Sequence, residues 1–278
     1  MSHALRRLLG PRAVVLPFAI VLAFPFYWMV ITAFKKTTEL YDLSSVPFWW
    51  HDGLTLSNIR DLFENTPYVT WLENTALVGV IVVAITLIVA MPAGYALARL
   101  SGGWGQTMGV GIFLTYLVPP TLLFLPLSRV ISDLHLSNSL GSLILVYPSF
   151  TIPFSTWLLM GFFKTIPPEL EDAALIDGCS RIQALIRIVF PISLPGILTV
   201  VIFSFSLVVN EFIYAITFIS TSSHRTISAG VPTDLVRGDL VNWGGIAAAV
   251  LIPAIPLALL YNLFLDRFIA GFTGGAFR

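Results

Sequence analysis

Residues 164–191 read Lys-Thr-Ile-Pro-Pro-Glu-Leu-Glu-Asp-Ala-Ala-Leu-Ile-Asp-Gly-Cys-Ser-Arg-Ile-Gln-Ala-Leu-Ile-Arg-Ile-Val-Phe-Pro. The stretch carries more helix punctuation than a slack connector needs. Pro167 and Pro168 suit a first helical turn, where a missing N–H loses no intrahelical bond. Glu169, Glu171 and Asp172 put negative charge on the positive end of the helix dipole. Gly178 is placed to end that helix as a left-handed residue. Ser180 and Gln183 have the spacing of a capping box for a second helix. In it Ile182, Leu185, Ile186 and Val189 recur at i, i+3, i+4 and i+7 and predict one apolar face, with Pro191 and Pro195 closing the helix. The expectation is a helix, a glycine turn and an amphipathic helix lying on a membrane surface. Pattern alone leaves open whether the pair does more than join its neighbours.

Those neighbours are apolar on both sides. A helix needs about 20 apolar residues to cross the hydrocarbon core of a bilayer. Candidate spans are 13–34, 74–98, 106–127, 140–163, 196–220 and 244–265, with 164–195 as the loop between the fourth and fifth. The whole chain is expected to be a single all-α transmembrane domain without an internal repeat. Composition agrees: 56% of the 278 residues are hydrophobic and 11% charged, against about 25% charged in an average soluble domain. Mean hydropathy is +0.88. The 18 prolines and 20 glycines are tolerated in membrane helices, where neighbouring helices re-satisfy freed backbone groups. The first span is too long for the apolar core of a signal peptide, and Lys35 and Lys36 close it without a small-residue cleavage site. It reads as a retained anchor.

Basic residues near span ends set orientation. Arg6, Arg7, Arg12, Arg99, Lys164, Arg181, Arg187, Arg267 and Arg278 fall on one side, and fewer, Lys35, Lys36, Arg60, Arg129, Arg225 and Arg237, on the other. Both termini are therefore expected in the cytoplasm. The long outside loop, about 35–73, holds Phe48, Trp49, Trp50 and Trp71. These read either as headgroup-level aromatics or as contacts for an external partner. A short surface helix is expected over 56–63, with Ser57 as its cap. A formal charge of zero implies no nucleic-acid partner. The one cysteine, Cys179, excludes an internal disulfide, and the four scattered histidines have no metal-ligand spacing.

Read as Glu171-Asp172-Ala173-Ala174-x3-Gly178, then Ile188-Val189-Phe190-Pro191 after a nine-residue gap, the loop resembles the "EAA" loop of binding-protein-dependent ABC importer permeases. Asp172 replaces a common Glu and Phe190 a common Leu, and both keep the chemical character. With Asn210-Glu211 and the tail 267–276, the resemblance extends over most of the chain to the carbohydrate-uptake branch, in particular the maltose-permease G-type subunit. The resemblance implies a type I ABC importer permease fold in a bacterial inner membrane. It implies that Glu171, Asp172, Ala173, Ala174, Gly178, Ile188 and Pro191 couple the chain to a cytoplasmic ABC ATPase dimer, the acids pairing with basic groups on that partner. A second, related permease subunit, an extracytoplasmic solute-binding protein and membrane lipid complete the implied partners. ATP and Mg would be bound by the ATPase, with no cofactor in this chain. Tails of this type reach toward the ATPase, whereas composition alone reads as a disordered end.

Within the spans, Glu211 is expected in the middle of the fifth. A charge at that depth costs at least about 2.5–3.5 kcal/mol and belongs in a bundle interior or wet cavity. Asn210 and Glu211 read as part of a solute pathway or as an interhelical latch. Tyr214 reads as a platform for a sugar ring or as packing, and Tyr116, ahead of Pro119 and Pro120, as a weaker pathway candidate. No G-x-x-x-x-G-K-[ST] phosphate loop occurs, so an enzyme is not expected. The favoured function is half of a sugar pathway, with a polyol or glycerol-phosphate-type solute as alternative. An ion-coupled secondary transporter using Glu211 is the alternative of another class, and it predicts inverted repeats that are not evident.

Overall fold

A chain whose solvent is lipid has to satisfy its backbone N–H and C=O groups internally, and this chain does so with helices. The computed structural model describes residues 11–237 and 240–276. Arg6, Arg7, Asp239 and Arg278, which bear on orientation or charge, lie outside the described residues. In chain order the helices are α1 (Pro11–Ala33), α2 (Thr37–Leu40), α3 (Ser57–Asn65), α4 (Tyr68–Tyr95), α5 (Trp104–Tyr116), α6 (Pro120–Asp133), α7 (Leu140–Val146), α8 (Pro148–Thr165), α9 (Glu169–Ile176), α10 (Arg181–Ile192), α11 (Leu194–Asn210), α12 (Ile213–Phe218), α13 (Ile227–Asp234) and α14 (Trp243–Ala276). A wide π turn, Ala96–Leu100, prolongs α4. A two-residue antiparallel hairpin, β1 (Val236–Arg237) with β2 (Leu240–Val241), pairs Val236 with Val241.

Among the described residues, four continuous stretches are long and apolar enough to cross a membrane: Val15–Ala33, Tyr68–Leu100, Leu140–Thr165 and Trp243–Phe264. Two more spans are possible only as bent pairs, α5 with α6 at 84° and α10 with α11 at 79°. Three expected spans do not coincide with continuous helices. The stretch 106–127 is not one continuous helix: it breaks before Pro120, whose ring is tolerated at the start of α6. The second span begins at Tyr68 rather than residue 74. The stretch 196–220 stops being helical at Asn210, where Glu211 turns extended (φ −72°, ψ 123°). Glu211 therefore sits at a helix end, not mid-helix. The glycine-rich tail continues α14 as far as Ala276, in place of the disordered end that composition suggested.

By its internal packing the chain forms two compact units. One holds the chain up to Tyr68 with Val231–Leu257; the other holds Val69–Gly230 with the chain from Ala258 on. In the first, the loop after α1 is tightly folded. Lys35 Nζ lies 3.1 Å from Glu39 Oε1 and donates to Val46 O. Asn58 Nδ2 donates to Ala33 O and Lys35 O, tying α3 to the end of α1. The expected Ser57 cap is corrected here. Ser57 is the first residue of α3, and its N–H donates to Thr55 Oγ1. Trp49 is exposed, while Trp50 donates to Ile31 O.

Among the described residues, the second unit includes two apolar clusters. One gathers Val78, Val82, Leu143, Tyr147, Phe150, Tyr214 and Phe218. The other gathers Ala90, Tyr95, Leu159, Phe163, Val189 and Val200. The second depends on close helix approach at Gly94, where a Cβ would meet Thr156 O and Met160 N at 3.1 Å. Trp71 is wholly buried and faces Gly230.

Candidate functional site

The loop 164–195 folds as two helices. Pro168 precedes α9, whose first turn holds Glu169, Glu171 and Asp172. Gly178 has φ +87°, and the turn around it makes both bonds of a Schellman motif, Cys179 N–H to Ala174 O and Gly178 N–H to Leu175 O. The capping box is complete: Ser180 N–H donates to Gln183 Oε1 at 2.8 Å, and Gln183 N–H donates to Ser180 Oγ at 3.3 Å. The apolar residues of the second helix differ in their burial within this chain. Val189 is buried and Leu185 half-buried, but Ile182 and Ile186 are exposed. A π turn over Leu185–Val189 shifts the angular step of the helix. The helix also runs through Pro191 and breaks at Ser193.

The coupling residues predicted from sequence have distinct settings. Asp172 and Ala173 are exposed, Ala174 is buried, Ile188 is half-buried and Pro191 exposed. Glu171 is 5% exposed. Its Oε1 lies 2.6 Å from Arg99 Nε, and its Oε2 accepts from the Tyr95 hydroxyl at 2.7 Å. Arg99 also donates through Nη2 to Ile166 O at 2.6 Å. In sequence Arg99 is read only for orientation and Tyr95 not at all, so neither is linked to the loop. The available signal was a Tyr and an Arg four residues apart at the end of a span, one helical turn from each other.

The second constellation lies where two helices break. A cavity of about 640 Å³ is lined by Tyr116, Leu117, Val118, Pro119 and Pro120 from the α5–α6 break, by Leu207, Asn210, Glu211, Phe212, Ile213 and Tyr214 from the α11–α12 break, and by Phe150. The four pathway candidates, Tyr116, Asn210, Glu211 and Tyr214, thus share one cavity. Glu211 accepts from Tyr147 Oη at 2.7 Å, from Tyr214 N–H at 2.9 Å and from Ala215 N–H at 3.1 Å. Its own carbonyl accepts from Ser228 Oγ. Among the described residues no cation is in ion-pair contact with it. The carboxylate is held by oriented dipoles, which fix the broken backbone. Asn210 turns its amide back to Ser206 O. Tyr214 is wholly buried, its hydroxyl bonded to Pro120 O across the cavity wall, so its ring is packed among Phe124, Phe150 and Phe218. Tyr116 belongs to an aromatic group with Phe113, Phe154 and Phe203. Tyr147 and Ser228 were not legible in sequence, since each meets Glu211 only through the fold.

These features have counterparts in known proteins. Residues 90–273, which include the loop and both helix breaks, match the family described as binding-protein-dependent transport system inner membrane component. The sulfoquinovosyl glycerol transport system permease protein SmoH of Agrobacterium fabrum is 34% identical over 92% of this chain and 88% of its own. The diacetylchitobiose uptake system permease protein DasC of Streptomyces coelicolor is 30% identical over 100% of both chains. The trehalose/maltose transport system permease protein MalG of Thermococcus litoralis is 29% identical over 94% of this chain and 93% of its own. In fold, the chain is similar to one in the crystal structure of a bacterial ABC transporter involved in the import of the acidic polysaccharide alginate, with a TM-score of 0.80, 19% identity, and 96% and 99% of the two chains covered. The chain belongs to the inner-membrane components of binding-protein-dependent transport systems, and is a multi-pass permease of the kind that works with a substrate-binding protein and an ATPase.

Proposed function

We propose that this permease supplies half of the pathway through which an ATP-driven importer moves an uncharged saccharide, a second and related permease supplying the other half. The observation that carries the reading is the shared cavity at two helix breaks, where aromatic faces surround Asn210 and a dipole-held Glu211. Broken helices at membrane depth are tolerated where they line a cavity. A carboxylate and an amide among aromatic rings suit the hydroxyls and apolar ring faces of a sugar, and the absence of Lys and Arg from the lining disfavours a phosphate ester. The relatives named for diacetylchitobiose and for trehalose/maltose support a neutral saccharide, and the one named for sulfoquinovosyl glycerol supports a sugar derivative more broadly.

In this reading the bent pairs each count as a span, giving six, and both termini face the cytoplasm. The loop with α9 and α10 then lies on the ATPase side, and ATP and Mg are bound by that partner. The test is reconstitution with the partner permease, ATPase and binding protein into liposomes. Neutral di- and oligosaccharides, polyols and glycerol phosphate are offered in turn. A neutral saccharide should stimulate ATP hydrolysis and accumulate inside. Stimulation by glycerol phosphate alone would overturn the assignment.

A further inference from the structure

We propose that Arg99 is a positioning residue for coupling: together with Tyr95 it clamps Glu171 so that α9 is fixed to the end of α4 and moves with that span. The inference rests on the reading of α9 as the ATPase contact. Its basis is a three-way junction. The guanidinium of Arg99 reaches Glu171 Oε1 at 2.6 Å and Ile166 O, the residue that ends α8, also at 2.6 Å. Tyr95 holds the other carboxylate oxygen at 2.7 Å. The ion-paired side chains are 14% and 6% exposed. A planar guanidinium with several donors in fixed directions sets orientation as well as charge. The lever is local: Arg99 lies in the π turn at the end of α4, a geometry frequent at functional sites. A loop joined at one point would absorb a push on α9, whereas a junction of α4, α8 and α9 delivers it to two spans.

The geometry also reassigns the acids. Both oxygens of Glu171 are engaged inside the chain, so the carboxylates presented outward on α9 are Glu169 and Asp172, both exposed. Basic groups on the ATPase would meet these.

The experiment compares Arg99→Met, Glu171→Gln, their double variant, Tyr95→Phe and the exchange Arg99→Glu with Glu171→Arg in the assembled transporter. Two quantities are read: solute transported per ATP hydrolysed, and amide hydrogen exchange of residues 170–177. Because the partners act as one unit, the single variants and the double should lower transport per ATP by the same ~10-fold, and Tyr95→Phe by ~3-fold. Exchange at 170–177 should quicken by ~10-fold in the Arg99 and Glu171 variants, and the exchanged pair should recover part of both readouts. Uncoupling by Glu171→Gln but not by Arg99→Met would overturn the proposal, since Glu171 would then act on the ATPase directly. Unchanged exchange in both variants would overturn it as well. Should Arg99→Met fail to assemble, normal coupling in Tyr95→Phe and no recovery in the exchanged pair count against it. A wild-type assembly that responds to no saccharide would overturn the transport reading, while hydrogen exchange still judges the clamp.

Discussion

Gly178 and Glu211 show how much one residue carries in this protein. Gly178 has φ +87° and no neighbour within 4 Å of where a Cβ would stand. Substitution there strains only the backbone, by roughly 1–2 kcal/mol for most L-residues and less for Asn. Gly178→Val should therefore lower transport per ATP several-fold while the protein stays in the membrane, and Gly178→Asn should be milder. Equal effects would mean that side-chain volume, not backbone conformation, matters. Glu211 accepts three bonds at the α11–α12 break. Glu211→Ala leaves the Tyr147 hydroxyl and two backbone N–H groups without that acceptor, at about 1–3 kcal/mol for each one left buried. Uptake should fall about 10-fold or more on the 1.4 kcal/mol-per-decade scale, and Tyr147→Phe, which removes one donor, should cost less. Unchanged uptake kinetics in Glu211→Ala would remove the residue from the pathway.

At the scale of elements, the loop after α1 is held by one buried acid. Burial alone would push the Glu39 carboxyl up from its ordinary 4.5, but N–H donation from His51, the Lys35 ammonium and the Asp52 N–H together hold it lower. A carboxyl lowered by folding stabilises fully above its unfolded value and loses that contribution as pH falls through its folded one. Amides of the 46–52 segment should therefore lose exchange protection as pH drops below about 4.5, and Glu39→Gln should flatten that dependence. A pH profile that Glu39→Gln leaves unaltered would assign the acid sensitivity elsewhere. The bent pairs teach a related point about elements. Proline ends the helix at Pro119–Pro120 because the residue before a proline is pushed out of the α region, yet Pro126 stays inside α6. Pro191 likewise does not stop α10.

At the scale of the whole molecule, the positive-inside argument is directly testable. With Cys179 replaced by Ser, single cysteines at Asp52 and at Asp177, both exposed, should be labelled from opposite sides by a membrane-impermeant maleimide. Asp52→Cys should react in intact cells and Asp177→Cys only after lysis. Reaction of both from one side would overturn the proposed topology.

The membrane class, the helical loop, its capping box and the turn at Gly178 were all legible in the order of the residues. Each of these depends on residues within a few positions of one another, where side-chain and backbone preferences act directly. The sequence also supplied the four cavity residues as separate suggestions. Only the tertiary structure decided that Tyr116 and Glu211 share one cavity, that Tyr147 holds Glu211 from 64 residues away, and that Glu171 is taken by Arg99, 72 residues earlier. Tertiary packing also left the 182 and 186 positions of α10 exposed. A carboxylate on a helix reads the same in sequence whether it points to a partner or to a buried guanidinium. The distinction arises when distant helices pack, because burial makes a charge require a partner at hydrogen-bond distance and sequence spacing cannot measure that distance.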